Sequence, residues 1–389
     1  MHNLTRHRLL LAVFVMTILY AFHYGIPLYA SSSFLHQFFG SSKISAIYMV
    51  GSIITLLFSI HFTKYLHRFH TYNFTFAVVL AEILTTLAFS LTKNPYVILF
   101  FFTIHFCLST LIYIIISMLV ENLTPNNETG MIRGIFLTLL SLGILISPFV
   151  GAGLLSYGGY TSLYIVSAFA LFPFFYFLKK YFKHVPDPTY RSLDMVQAGK
   201  KAFANINLRG ALMSILLLEC FYAVMVIYSP LYLQSIGISL TTYLSVILPI
   251  ALIPFVIMPY ELGILADNKL GEKELLILGL IIMAITTLSI VVINTTNTIV
   301  WAGIMIASRV GASCVETMAF TYYFKKVTSR DASLVALISN MKSLATIIVG
   351  FVGVIMAPLM VNYPGIIFII LGLALLFGVT YVIPIKDTK

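Results

Sequence analysis

Ionisable side chains stand inside stretches that are otherwise apolar: His23, Glu82, His105, Glu219, Arg309, Glu316 and Lys342. In a bilayer such groups are costly, and they usually face a bundle interior or a wet cavity. Arg309 and Glu316 are seven residues apart, close to two helical turns, so they share a face about 10 Å apart along the axis. Ser313 lies between them, and Phe320 and Tyr323 continue the stripe. Counted from the end of each apolar segment, Glu316 is about 12 Å deep, Lys342 about 16 Å and Arg309 about 22 Å. Lys342 therefore falls between the other two and can pair with Glu316. These three are the expected polar centre of the C-terminal half; the alternative is a fixed salt bridge that only neutralises buried charge. Glu219 and His23 sit at central depths, each with a tyrosine one turn away, Tyr222 and Tyr20. A desolvated carboxylate can carry a proton near neutral pH, and histidine titrates there without help. Glu219 or Glu316 is the expected proton-coupling acid. For His23 a hydrogen-bonded packing role is an equal alternative, and His105, with Tyr113 further along, reads the same way. Glu82 reads as a packing or interhelix hydrogen-bond residue.

The elements that carry these groups follow from composition. The 389 residues are 60% hydrophobic and 9% charged, against about 25% charged in a soluble domain. There is too little polar surface to cover a water-soluble core, so lipid must be the solvent. A span needs about 20 apolar residues. Such stretches recur at 8–30, 43–62, 72–92, 95–120, 132–156, 160–178, 208–232, 241–261, 273–293, 297–323, 332–357 and 364–384. Segments such as Leu276 to Ile290 are apolar on every face, which excludes the alternation of barrel strands and leaves helices. The first segment is too long for a signal-peptide core and lacks a small-residue cleavage site, so it reads as a retained helix. With the N-terminus inside, nineteen of the 23 Lys and Arg fall in inside segments; only Lys43 and Lys93 fall outside, and Arg309 and Lys342 lie within spans. That asymmetry places both termini in the cytoplasm of a multi-pass cell-membrane protein, expected in a bacterial inner membrane. It also explains the net charge of +10 without nucleic-acid binding. Cys107, Cys220 and Cys314 lie in apolar segments, and no disulfide or metal spacing stands out.

A polar stretch at 179–209 divides six segments from six, giving an N-terminal bundle at 1–178 and a C-terminal bundle at 210–389. Its later part, with Leu193, Val196 and Phe203 apolar and Lys200 and Lys201 basic, reads either as an amphipathic helix on anionic lipid or as a plain linker. The halves carry a faint repeat: Tyr20-Ala21 and Pro27-Leu28-Tyr29 answer Tyr222-Ala223 and Pro230-Leu231-Tyr232.

Two motifs are more specific. After the eighth segment the chain reads Gly263-Ile-Leu-Ala-Asp267-Asn-Lys-Leu-Gly271-Glu-Lys273. Gly263 would let two helices approach, Asp267 suits the positive N-terminus of another helix, and Gly271 permits the reversal that follows. In the fifth segment Gly143, Ser147, Pro148, Gly151 and Ala152 have the small-residue spacing that allows close packing, with a proline to bend the helix; generic packing is the alternative. The loop resembles the signature loop of the major facilitator superfamily, and the fifth segment is similar to that family's antiporter motif. The resemblance implies twelve helices in two pseudo-symmetric six-helix bundles, with helices 1, 4, 7 and 10 lining a central cavity. It implies that His23, His105, Glu219, Arg309, Glu316 and Lys342 belong to a substrate or proton pathway. It further implies that Asp267 approaches the start of the fifth helix, near Met131 to Arg133, as a gate. The chain departs from the pattern in three places. The loop after the second segment, Ile60 to Arg68, has neither the Gly nor the Asp; the fourth segment lacks an arginine; the first lacks an acid. Asp331 is then read as a cap for the eleventh helix.

The expected function is secondary active transport of a small organic solute by alternating access. Proton coupling is expected, with efflux of hydrophobic compounds in the manner of a drug–proton antiporter as first reading and uptake of a small metabolite by symport as second. A monomer in contact with membrane lipid, without cofactor or metal, completes the expectation. An enzyme is not expected: a lipid-modifying enzyme of the membrane would need interfacial acid, His or Arg clusters, and no phosphate-cradling loop or serine elbow occurs. Two halves and a gating-type loop argue against a channel or receptor.

Overall fold

The computed structural model describes residues 2–124, 129–185, 195–266, 270–327, 334, 337–338 and 340–386. All regular structure among them is helical, as backbone that must satisfy its own hydrogen bonds in lipid requires. The spans are α1 (His2–Leu28), α2 (Ser41–Ile60), α3 (Thr71–Ser90), α4 (Pro95–Leu123), α5 (129–157), α6 (160–170, continued by Phe172–Phe177), α7 (Ile206–Ile227), α8 (Leu240–Leu265), α9 (Glu272–Val292), α10 (Thr298–Lys326), α11 (Met341–Met360) and α12 (Ile366–Val382). Ten stretches are long and apolar enough to cross a membrane. One of them is broken at Gly158 and Gly159, whose backbone leaves helical geometry, with Gly159 at φ 65°. Counting that stretch as two and adding the shorter α12 gives the twelve spans of the sequence reading.

Contacts group the chain into two compact units, 1–34 with 50–192, and 35–49 with 193–389. In the first unit α1 lies along α5 at backbone distance. A Cβ built on Gly25 would fall 2.6 Å from Ser147 Oγ, one on Gly151 would fall 2.9 Å from the Ile26 carbonyl, and one on Gly143 would overlap Ala21 Cβ. The small residues of α5 are thus the surface on which α1 rests. Pro148 leaves the Ile144 carbonyl without its helical donor. Around this pair a core of Val13, Met16, Val79, Ile83, Ile112, Ile115, Ile116 and Phe174 closes against α3, α4 and α6. In the second unit α9 meets α10 through Gly279 and Gly311, where a Cβ on either glycine would fall 2.8 Å from the other's carbonyl oxygen. α7 packs against α10, α11 and α12. The 35–49 segment joins this unit through Ser45, whose hydroxyl lies 2.7 Å from that of Tyr228. Between the spans, Met195–Ala204 is helical. Its buried face is Ala198 and Ala202, whereas Phe203 is exposed; Leu193 lies outside the described residues.

Candidate functional site

Each unit holds a polar cluster of its own. In the second, α7 brings Glu219 and Tyr222, one turn apart, against α10 and α11. The Tyr222 hydroxyl donates to Glu316 Oε2 at 3.0 Å. Glu219 lies within Coulombic range of Lys342 and Glu316, and Tyr222 within range of Arg309. Glu219, Tyr222 and Glu316 are all partly buried. Arg309 is 1% exposed. Its Nη1 donates to Ser308 Oγ at 2.9 Å, and its guanidinium carbon stands 5.1 Å from the centre of the Phe221 ring, a cation–π contact. Its Nη2 is buried with no hydrogen-bond partner among the described residues. Phe255 of α8 closes the edge, 5.8 Å from Tyr222 ring to ring, and Ser313 Oγ donates to the Pro254 carbonyl at 3.4 Å. Lys342 differs from expectation. α11 is described from Met341, which puts Lys342 in its first turn, and the side chain is exposed. Ahead of it Leu334, Leu337 and Ile338 are helical as well, so its exposure, and not its distance from the start of α11, is what departs from the sequence reading.

The first unit gathers residues that the sequence keeps apart. His23 on α1, Glu82 on α3 and His105 on α4 meet on one carboxylate oxygen. His23 Nε2 is 2.7 Å from Glu82 Oε1, and His105 Nδ1 is 2.6 Å from the same atom. The other ring nitrogen of His23 lies 3.0 Å from the Ser167 carbonyl of α6, and the Ser167 hydroxyl donates to the His23 carbonyl at 2.7 Å. Thr86 Oγ1 is 3.1 Å from His105 Nδ1. The two imidazoles stand edge to face at 5.9 Å, with Phe89 against His105 at 5.3 Å. His23 and Glu82 are wholly buried. Tyr20 stacks on Tyr24 at 5.8 Å and meets Tyr113 at 6.3 Å, one turn along α1. Sequence reasoning set Glu82 aside on the periphery. One acid in the third apolar segment was the available signal, but its two partners lie 59 residues before and 23 after it.

The loop between α8 and α9 is described in part. Gly271 adopts φ 90°, a conformation that favours glycine, and its amide donates to the Ala266 carbonyl at 3.0 Å. Asp267, and with it the expected contact to α5, lies outside the described residues, as does Asp331. At Gly263 a Cβ would meet open space among the described residues. Lys273 is partly buried. Glu272, which sequence reasoning passed over, is buried in the first turn of α9 and accepts a hydrogen bond from Lys325 at the end of α10.

A sequence profile of the Major Facilitator Superfamily matches residues 109–350. Among solved structures, the crystal structure of a D-xylose-proton symporter superposes with a TM-score of 0.78, at 15% sequence identity over 98% of each chain. No curated protein matches the chain in sequence.

Proposed function

The chain belongs to the Major Facilitator Superfamily, and from that premise we propose a proton-coupled secondary transporter whose solute meets the α7–α10–α11 cluster. The observation that carries this reading is the meeting of two partly buried carboxylates, Glu219 and Glu316, beside Tyr222, which is also within range of a buried guanidinium whose Nη2 has no hydrogen-bond partner among the described residues. A carboxylate between water and hydrocarbon can alternate between a protonated form and one paired to Lys342, and the family works by alternating exposure of such a site. Lys342 is within range of Glu219, Tyr222 bonds to Glu316, and Arg309 is within range of Tyr222. Arg309 Nη2, which has no acceptor among the described residues, suits an oxygen of the solute, and Phe221 and Tyr222 suit its apolar face. A small polar organic solute taken up with protons is the first reading. The solved symporter of the same fold supports it as precedent only. Efflux of hydrophobic compounds is the second reading, favoured by the aromatic group of Phe221, Tyr222 and Phe255. Orientation with both termini in the cytoplasm rests on the loop charges.

The experiment is proteoliposomes loaded with a pH dye and challenged with sugars, amino acids and ethidium. A solute that moves protons inward with itself supports symport; outward exchange supports efflux. In Glu219→Gln and Glu316→Gln, solute-dependent proton movement should fall at least about tenfold in one variant, with solute exchange retained. Full coupling in both variants sinks the proton-acid role.

A further inference from the structure

We propose that His23, Glu82 and His105 form a binding site for a divalent transition-metal ion of the zinc type, buried inside the first unit. It uses residues separate from the proton-coupling cluster and stands or falls without it.

The three side chains offer one ligand atom each, and these atoms lie within 4.8 Å of one another. The ligands come from three different helices, so their meeting is a product of packing. The surroundings fit a metal as well as the donors do. The Ser167 carbonyl can only accept, so the facing Nδ1 of His23 carries a hydrogen at 3.0 Å. That leaves Nε2 to point at the site. A metal-bound histidine is commonly oriented in this way, by a carbonyl on its far nitrogen. Glu82 supplies a further sign. Two imidazole nitrogens crowd Oε1, while Oε2 is buried with no hydrogen-bond partner among the described residues. An orphaned carboxylate oxygen in a dry interior is costly, and a cation between the rings would give it a partner.

The contacts of 2.6 and 2.7 Å are hydrogen bonds, shorter than the ~3.3 Å between neighbouring ligands of a tetrahedral ion with bonds of about 2.0 Å. Each therefore holds a proton where the ion would sit. Admission of the ion needs the carboxyl to turn, bringing Oε2 round, and the two ring nitrogens to stand about 3.3 Å apart around bonds of about 2.0 Å. One proton then leaves the cluster, and the other settles on His105 Nε2 as that ring changes tautomer. Imidazole and carboxylate donors without a thiolate suit Zn²⁺, Co²⁺ or Ni²⁺ rather than Cu⁺. Three protein ligands leave the fourth position open, the pattern of sites that exchange or bind a further group rather than of closed structural ones. The His105 side chain retains 9% exposure against none for the other two, so the ion reaches the site past that ring.

The test uses the full-length protein in detergent, stripped with a chelator and titrated with Zn²⁺ by calorimetry and with Co²⁺ by visible absorption. One ion per chain is expected at micromolar concentration, with the intense visible bands of low-coordinate Co²⁺. About one proton should be released per ion, read from the dependence of the heat on buffer. His23→Gln and His105→Gln should each weaken binding at least about tenfold, whereas Glu219→Gln should leave it unchanged. If the wild-type protein takes up no stoichiometric ion, the proposal is overturned; this measurement decides the matter even if a histidine variant fails to fold. Binding of equal strength in both folded histidine variants overturns it as well, because the ion would then lie elsewhere.

Discussion

Arg309 has five N–H donors, yet its Nη2 is buried with no partner among the described residues and its charge rests chiefly on the face of Phe221. A guanidinium so placed is poorly explained by stability, since burying charge costs several kcal/mol that incomplete pairing does not return. Two outcomes follow. Arg309→Lys should weaken solute binding about 10- to 100-fold, the loss expected for one charged hydrogen bond, read as a raised half-saturation concentration in proteoliposome transport. Lysine is a poor substitute because it lacks the planar fork and stacks less well. Arg309→Met should melt no lower than the parent, measured by thermal unfolding in detergent; a marked drop would mean that the arginine is a structural tie. At this scale the sequence showed which residues were out of place in lipid, since charge inside an apolar stretch is visible in one dimension. It did not show which residues meet. Glu82 looked peripheral because a helix number says nothing about which way a side chain points, and for the same reason the exposure of Lys342 could not be read from its place in an apolar segment.

Among the elements, the seam between α1 and α5 is the most demanding. Gly25, Gly143 and Gly151 stand where any Cβ would collide with the partner helix, so a larger side chain must separate the backbones. Gly143→Val should cost about 1–3 kcal/mol through overpacking, seen as a lower melting temperature, whereas Gly153→Val, with nothing within 4 Å of its Cβ, should be close to neutral. The seam also positions His23, which lies between Ala21 and Gly25 on the packed part of α1, so Gly143→Val should disturb the His23–Glu82–His105 cluster too. At the other end of the chain, Lys325 ties α10 to the start of α9 through Glu272. The lysine is 43% exposed while the acid is 3% exposed, so Lys325→Met should cost about 1–2 kcal/mol after allowance for solvent screening, again in melting temperature. The seam was legible as small-residue spacing; the tie was not, because Glu272 and Lys325 are 53 residues apart.

Across the whole molecule the loop charges make an orientation claim that the helices alone do not. A single cysteine at Lys93 in a background lacking Cys107, Cys220 and Cys314 should react with a membrane-impermeant maleimide added to intact cells. One at Lys183 should react only after the membrane is opened. The reverse pattern would invert the topology and, with it, the direction assigned to solute movement. Each unit holds a polar cluster of its own, so the proposed solute handling by the second and the proposed ion binding by the first should be lost separately, which the variants at Glu316 and His23 would reveal.

The sequence by itself determined that the chain lives in lipid, that it crosses the membrane about twelve times, that a polar stretch divides it near the middle, and that its loop and fifth helix resemble one transporter family. These are properties of local composition, and the bilayer converts composition directly into helices of a given length. Only the tertiary structure decided that His23, Glu82 and His105 share one oxygen, that Glu316 pairs with Tyr222, and that the Arg309 Nη2 has no partner among the described residues. Those outcomes depend on how far each helix is rotated about its axis and how closely glycines let the backbones approach. In an apolar segment with hydrophobic residues on every face, nothing in the linear pattern records that rotation.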